Sequence, residues 1–276
     1  GRKKNLLCSM VNKWAQNVFS EARAEIGDLY PNDADSYVPI GYFWMRTILC
    51  QNPECGVEIP LTAHFYLVNI GSRKIALKPV VDENTKTINF IIQEGKEIDF
   101  DPQMGTVRLG MARCPICKQT TKGIKIRQLA REGKMGQRMV AVITYRPSRK
   151  GKKYRISNKH DIELFNLAVK RLDEKIKSWE WLESPIPDEP LATPHGKKVK
   201  DENGAFWVHL QPVNYGMHMF KDLFNSRQLL SMITFVDKIK SSYKNIVEDC
   251  RSLELKGLDS EELAKAIMGY LAIILD

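Results

Sequence analysis

Two cysteine pairs are the residues of this chain whose types and spacing most plainly specify a chemistry. Cys50 and Cys55 stand in the turn-forming stretch Cys50-Gln51-Asn52-Pro53-Glu54-Cys55-Gly56, and Cys114 and Cys117 in Cys114-Pro115-Ile116-Cys117-Lys118. Zinc takes four thiolates in a tetrahedron, and ligands separated by two to four residues let one tight turn supply two of them. Two such turns predict one zinc ion. Four sulfur ligands leave no open position for water or substrate, so the metal is expected to be structural rather than catalytic. The competing reading is ordinary buried thiols or a reducible disulfide. Six cysteines in 276 residues are too sparse for a secreted disulfide scaffold. Cys8 and Cys250 fall inside apolar helical patterns and are expected to be packed core thiols. His64, His160, His195, His209 and His218 show no ligand spacing, and none is assigned to the metal.

Charge is the second signal. The formal net charge is +9, but residues 103–160 hold sixteen Lys and Arg against one acid, Glu132. Such a surface fits a polyanion, because neutralising phosphates releases their condensed counterions; a solvated basic face with no partner is the alternative. At 43% apolar and 27% charged, the composition is that of an ordinary soluble chain of one large or two modest domains. Without a long apolar run or a leader-like amino end, the expectation is a cytoplasmic protein with no membrane partner.

The hydrophobic pattern supplies the elements that must carry the cysteines. Leu6, Leu7, Met10, Val11, Trp14, Val18, Phe19 and Ala22 recur at three- and four-residue steps, predicting an amphipathic helix over 3–26. After a loop over 31–39, the aromatic and β-branched run 42–49 predicts a strand that delivers Cys50. Strand-like runs at 64–69, 74–81, 87–93 and 106–111, separated by turn residues, read as a β meander that brings Cys114 back beside Cys50. A short basic helix over 124–132, a strand over 139–145 and a charged tip over 146–153 follow. Periodicity predicts helices over 160–181 and from Met219 to about Cys250, with a Pro-rich segment, 183–204, read as an extended connector.

The last helix opens at Asp259, with Glu262 three residues on. Its apolar face, including Leu263, Ile267, Leu271 and Ile274, runs to Asp276. That suggests a piece of a longer chain, or else a helix that docks on this domain's own core. The expected class is α+β: a zinc ribbon with a small antiparallel β meander, flanked by amphipathic helices at both ends. The expected segments are 1–38, helix and loop; 39–158, the zinc and β domain with its basic stretch; 159–183, helix; 184–212, connector; and 213–276, helical.

Several stretches taken together resemble a known family. These are Trp44-Met45-Arg46-Thr47 leading into Cys50, Gly110-Met111-Ala112-Arg113 leading into Cys114, and the turn Gly133-Lys134-Met135-Gly136. The most specific is Asn214-Tyr215-Gly216-Met217, continuing through Phe220-Lys221-Asp222-Leu223-Phe224-Asn225-Ser226-Arg227-Gln228 to Met232-Ile233-Thr234-Phe235. The series resembles the zinc-ribbon-containing, adenine-specific DNA methyltransferases, over about residues 6–276. That resemblance implies transfer of a methyl group from S-adenosylmethionine to the exocyclic amine of adenine in DNA. It also implies a glycine-rich cofactor loop and an Asp/Asn-Pro-Pro-Tyr/Phe motif, which this chain lacks. Asp101-Pro102 runs into Gln103-Met104, and Asn52-Pro53 and Gln211-Pro212 have no second proline.

The chain is therefore expected to be the middle region of such an enzyme. It would be inactive alone, with S-adenosylmethionine bound only by the intact protein, and DNA and the rest of the parent chain as its partners. Arg113, Lys118, Lys122, Lys125, Arg127, Arg131, Lys134 and Arg138 are the expected phosphate contacts, which position DNA rather than read its sequence. Tyr215, Phe224 and Arg227 are candidates for the junction with the catalytic part or for stacking on a base, with core packing as the alternative. A free-standing zinc ribbon that binds nucleic acid without enzymatic activity, or a scaffold braced by metal, remains open.

Overall fold

Met10, Trp14, Val18, Ala22 and Ile26 recur every fourth residue, and they form the buried stripe of the first helix, α1 (Leu6–Ile26). In the computed structural model, which describes residues 5–33, 36–148, 150–191, 199–200, 206–207, 211–253 and 259–275, the chain is α+β, with helices near both ends and antiparallel sheets between. It divides into two units, each discontinuous in sequence: Gly1–Pro31, Glu163–Pro187 and Phe224–Asp276 form one, Asn32–Ile162 and Asp188–Leu223 the other.

The first unit is helical. It holds α1, most of α3 (Lys159–Lys177), α4 (Ser226–Ser252) and α5 (Ser260–Leu275). Met10, Trp14 and Val18 pack with Ile239, Ile246, Leu263 and Ile267 in one cluster, and Ile26 and Leu29 with Ala168, Leu172, Leu230 and Ile233 in another. Each fully buried side chain of this kind contributes about 1.5–3 kcal/mol of transfer free energy. Cys250 is buried, as expected, whereas Cys8 is exposed, against expectation. The stripe of α1 steps by four from Met10, and a residue two positions earlier points about 200° round the helix. α4 begins seven residues later than periodicity predicts. Phe220–Leu223 forms a 3-10 turn, and a capping box starts the helix: Gln228 N donates to Asn225 Oδ1 at 3.1 Å and Asn225 N to Gln228 Oε1 at 3.0 Å. Asp259 caps α5 by accepting from Glu261 N at 2.9 Å; Gly257 lies outside the described residues.

The second unit is built on antiparallel sheets. β1 (Val38–Leu49) is central in a four-stranded sheet ordered β10-β9-β1-β2, with β2 (Glu58–Leu61), β9 (Gly136–Tyr145) and β10 (Lys152–Ile156). The buried run Met139-Val140-Ala141-Val142 makes β9 a strand covered on both faces. β3 (Tyr66–Ile70), β4 (Arg73–Asp82) and β5 (Thr87–Glu94) form a three-stranded meander, as the turn residues predict. The fourth predicted run instead divides between β6 (Val107–Arg108) and β7 (Met111–Arg113), which join β8 (Thr120–Thr121) in a small sheet of their own. The short helix α2 (Gly123–Arg131) buries Ile126, Leu129 and Ala130. Two further two-residue strands, β11 (Val199–Lys200) and β12 (Phe206–Trp207), pair within the connector, most of which lies outside the described residues. No helix among the described residues is long and apolar enough to cross a membrane.

Candidate metal centre

β1 ends at Leu49, and the chain turns tightly through Cys50 to Cys55 before β2. Cys50 N donates to Val57 O at 2.8 Å, while Asn52 O accepts from Cys55 N and Gly56 N at 3.0 and 3.1 Å. Gly56 takes φ +60°, a left-handed conformation that glycine adopts without steric cost. The second turn lies between β7 and β8. Cys114 N donates to Gln119 O at 2.9 Å and Lys118 N to Cys114 O at 3.1 Å, with Lys118 itself left-handed at φ +62°. Each turn thus ends on a left-handed residue just beyond its second cysteine.

The two turns converge. Cys50 Sγ lies 3.5 Å from Cys117 Sγ, Cys55 Sγ lies 3.8 Å from Cys114 Sγ, and all four sulfurs fall within 4.8 Å of one another. Sulfurs at about 2.3 Å from a tetrahedral zinc stand about 3.8 Å apart, so the donor set fits such an ion in both type and spacing. Cys50, Cys55 and Cys114 are buried and Cys117 is partly exposed. Around them lie Ile48, Val57, Ile59, Phe65, Ala112 and Ile126, members of one apolar cluster. The four thiols could hold a metal such as zinc. Of the histidines, His64, His160 and His218 are described and stand outside the cluster, while His195 and His209 lie outside the described residues.

Electrostatics separates the thiols. Burial pushes the Cys50 thiol up to about 12, with Cys117 and Cys114 beside it adding to the rise. Burial likewise raises Cys114, although the Cys117 and Ile116 amides oppose it. Cys117 goes the other way, to about 6, chiefly because the Gln119 amide hydrogen-bonds its sulfur. Thiols this close in an apolar setting cannot all ionise alone, and a divalent cation reverses that balance.

Of the expected phosphate contacts, Arg113, Lys118, Lys122, Arg131 and Lys134 are exposed, and Lys125, Arg127 and Arg138 half-buried. They do not form one uniform group. Lys134 pairs with Glu132 at 2.8 Å. Arg138 is turned inward, donating to Ile88 O at 2.6 Å and lying 5.6 Å from the Phe90 ring centroid. Among the described residues, Arg113, Lys118, Lys122, Lys125, Arg127 and Arg131 have no carboxylate within ion-pairing distance.

Four of the stretches singled out in the sequence, those holding Arg46, Gly110, Met135 and Tyr215, meet within the second unit, whereas the run from Phe224 to Phe235 belongs to the other. Tyr215 ends a 3-10 turn (Gln211–Tyr215) and packs on the apolar cluster around the cysteines. Gly216, at φ +80°, comes so close to α2 that a Cβ there would stand 3.0 Å from Ala130 O. With Arg46, Leu61, Met135 and Met217, Tyr215 lines a hollow of about 410 Å³. In the other unit, Phe224 is partly exposed, whereas Arg227 is buried, its guanidinium 5.3 Å from the Tyr30 ring centroid and 5.9 Å from that of Phe165.

One constellation was missed in the sequence. Arg155 joins two carboxylates, Asp33, 122 positions away, at 2.5 and 2.8 Å and the buried Asp161, six positions away, at 2.6 and 2.8 Å. Asp161 also accepts from Asn158 N at 2.8 Å, while its own N donates to Asn158 Oδ1 at 3.0 Å, which caps α3. Only the Asn158–Asp161 spacing is a legible cue.

Compared with known proteins, the chain matches no family description, no curated protein and no solved structure.

Proposed function

We propose that one structural zinc ion holds Cys50, Cys55, Cys114 and Cys117 as a zinc ribbon, and that the unit braced by it presents its basic face to DNA. In this reading the chain is the non-catalytic middle region of an adenine-specific DNA methyltransferase. The observation that carries it is the adjacency of cation and ligand: Arg113 directly precedes Cys114, and Lys118 directly follows Cys117. A metal that fixes the sulfurs also fixes these two exposed cations, and Lys122, Lys125, Arg127 and Arg131 follow on β8–α2 with no paired carboxylate among the described residues. Cations without a paired carboxylate suit a phosphate backbone, because no ion pair must be broken on binding.

The test is DNA affinity of the zinc-loaded chain. Duplex binding should weaken at least about tenfold between low and moderate salt, and chelation should abolish it. Binding that ignores both would sink the interface. The enzymatic part of the reading is tested separately, by joining the chain to its native flanks and following methyl transfer from labelled S-adenosylmethionine to adenine. A complete reading frame with no glycine-rich loop and no Pro-Pro-aromatic motif defeats that part. It would leave the second reading, a free-standing nucleic-acid-binding zinc module, which the lack of both motifs in these 276 residues favours.

A further inference from the structure

β9 and β10 form a hairpin whose two faces differ in chemistry. Tyr145 is the register partner of Lys152, and Tyr154 stands two residues along β10 opposite Ile143. That spacing puts Tyr145, Lys152 and Tyr154 on one face. Lys153 belongs to the other, where its ammonium lies 4.4 Å from the Tyr37 ring centroid; there too Arg155 is held by Asp33 and Asp161. The β3–β4 hairpin lies against the tyrosine face. Arg73 donates from Nη2 to Lys152 O at 2.8 Å, and its guanidinium stands 6.0 Å from the Tyr154 ring centroid. Between the hairpins runs a groove of about 710 Å³, lined by Ile70, Arg73, Tyr145, Lys152 and Tyr154 among others.

Charge and apolar surface coincide here. Residues 66–81 and 145–160 contribute ten Lys and Arg and no Asp or Glu. The acid nearest in register is Glu94, opposite Ile75 on the neighbouring strand. Ile70 is 77% exposed and Tyr145 37%, so apolar faces stand open to solvent beside Arg73 and Lys152, which among the described residues have no carboxylate within ion-pairing distance, whereas Lys78 pairs with Asp99 and Arg155 with Asp33 and Asp161. A ligand that satisfies both must carry flat apolar surfaces and regularly spaced negative charge. Unpaired nucleic acid does so. In a duplex the base faces are already stacked on one another, which would leave Tyr145 and Ile70 nothing to cover.

We propose that this groove is a binding site for single-stranded DNA. Bases stack on Tyr145 and against Ile70, Arg73 and Lys152 take the phosphates, and Tyr154, capped by Arg73, forms the floor. The choice of DNA rests on the function proposed above. The site itself is separate from the cations around Cys114 and Cys117.

Fluorescence anisotropy of the full zinc-loaded chain tests it, with a short labelled oligo(dT) strand and a duplex of equal length as probes. Tyr145→Leu should weaken oligo(dT) binding about tenfold, since base–aromatic stacking has that order of effect, and change duplex binding less than about twofold. Lys152→Glu, which leaves the aromatic wall in place, should act in the same direction and decides the matter if Tyr145→Leu does not fold. Lys118→Glu combined with Lys122→Glu should show the opposite preference, losing duplex more than single strand. If Tyr145→Leu and Lys152→Glu leave oligo(dT) binding intact, or lower both probes equally, the groove assignment is overturned while the surface around Cys114 stands. A wild-type chain that binds neither probe overturns both readings. Oligo(rU) bound tenfold more tightly than oligo(dT) makes the ligand RNA and overturns the assignment to DNA.

Discussion

The Sγ atoms of Cys50 and Cys117 lie 3.5 Å apart although they stand 67 positions apart in the chain. The loop so closed contains the whole β3–β4–β5 meander and strands β6 and β7 of the small sheet. Bringing such distant sulfurs together costs chain entropy and, without a cation, crowds thiols whose ionisation burial opposes. A metal that binds only the folded arrangement adds its binding free energy to folding.

Metal removal should therefore unfold the second unit. Chelation, or Cys114→Ser, is expected to cost on the order of 5 kcal/mol, read as a lowered melting temperature, while Cys8→Ser on an exposed position should change it by no more than about 1 °C. Elemental analysis of purified chain should give one zinc per molecule. Melting that is indifferent to chelation would count against the site.

Arg155→Met should destabilise the second unit by about 3 kcal/mol, because it removes the guanidinium that pairs with the buried Asp161. Arg155→Lys should recover little of this, since one ammonium cannot reproduce a guanidinium that makes two bonds to each of two carboxylates. Urea unfolding measures both, and a neutral Arg155→Met would refute the account.

Gly216→Ala should cost about 2 kcal/mol, combining a left-handed φ of +80° with the approach of the new Cβ to Ala130 O. Gly269→Ala, at a helical glycine with open space where its Cβ would go, should be neutral or slightly stabilising. Equal effects of the two in denaturant titration would contradict the packing described.

The helical unit should lose stability in acid. Burial alone would raise the carboxyls of Glu25 and Asp237, but hydrogen bonds from Lys175 to both, from Lys238 to Glu25 and from Trp181 to Asp237 hold them below their ordinary values of 4.5 and 3.8. A depressed folded-state value means the contribution is fully present above the ordinary value and disappears as pH falls through the depressed one. Melting temperature should thus drop as pH passes below about 4. Asp237→Asn should lower stability at neutral pH by about 1 kcal/mol and flatten the acid slope. An unchanged slope in that variant would show that the network carries no such coupling.

Arg138 and Lys118 should separate cleanly in DNA binding. Lys118→Ala should weaken duplex binding and reduce the salt slope by about one phosphate. Arg138→Ala should instead lower stability, since its guanidinium is committed to Ile88 O and Phe90, and leave the salt slope in place. A reversal of these two results in parallel titrations would mean the inward pose of Arg138 is not what governs it.

Much of this protein is written in short windows of its sequence. The four-residue stripe of α1, the cap at Asp259, the turns of the β3–β5 meander and the knuckle spacings around Cys50 and Cys114 each express a period or a ligand geometry that a dozen residues can encode. The inward turn of Arg138, the exposure of Cys8, the late start of α4 and the second hairpin strand, β10, are not visible in that way. Nor is the grouping of α1 with α4 and α5 in one discontinuous unit. Those features depend on which distant segment each residue meets: Arg138 meets Ile88, and Arg155 meets Asp33 across 122 positions. Local chemistry sets which side chains can bond or bury, but only the closed chain brings their partners within the few ångströms at which those interactions act.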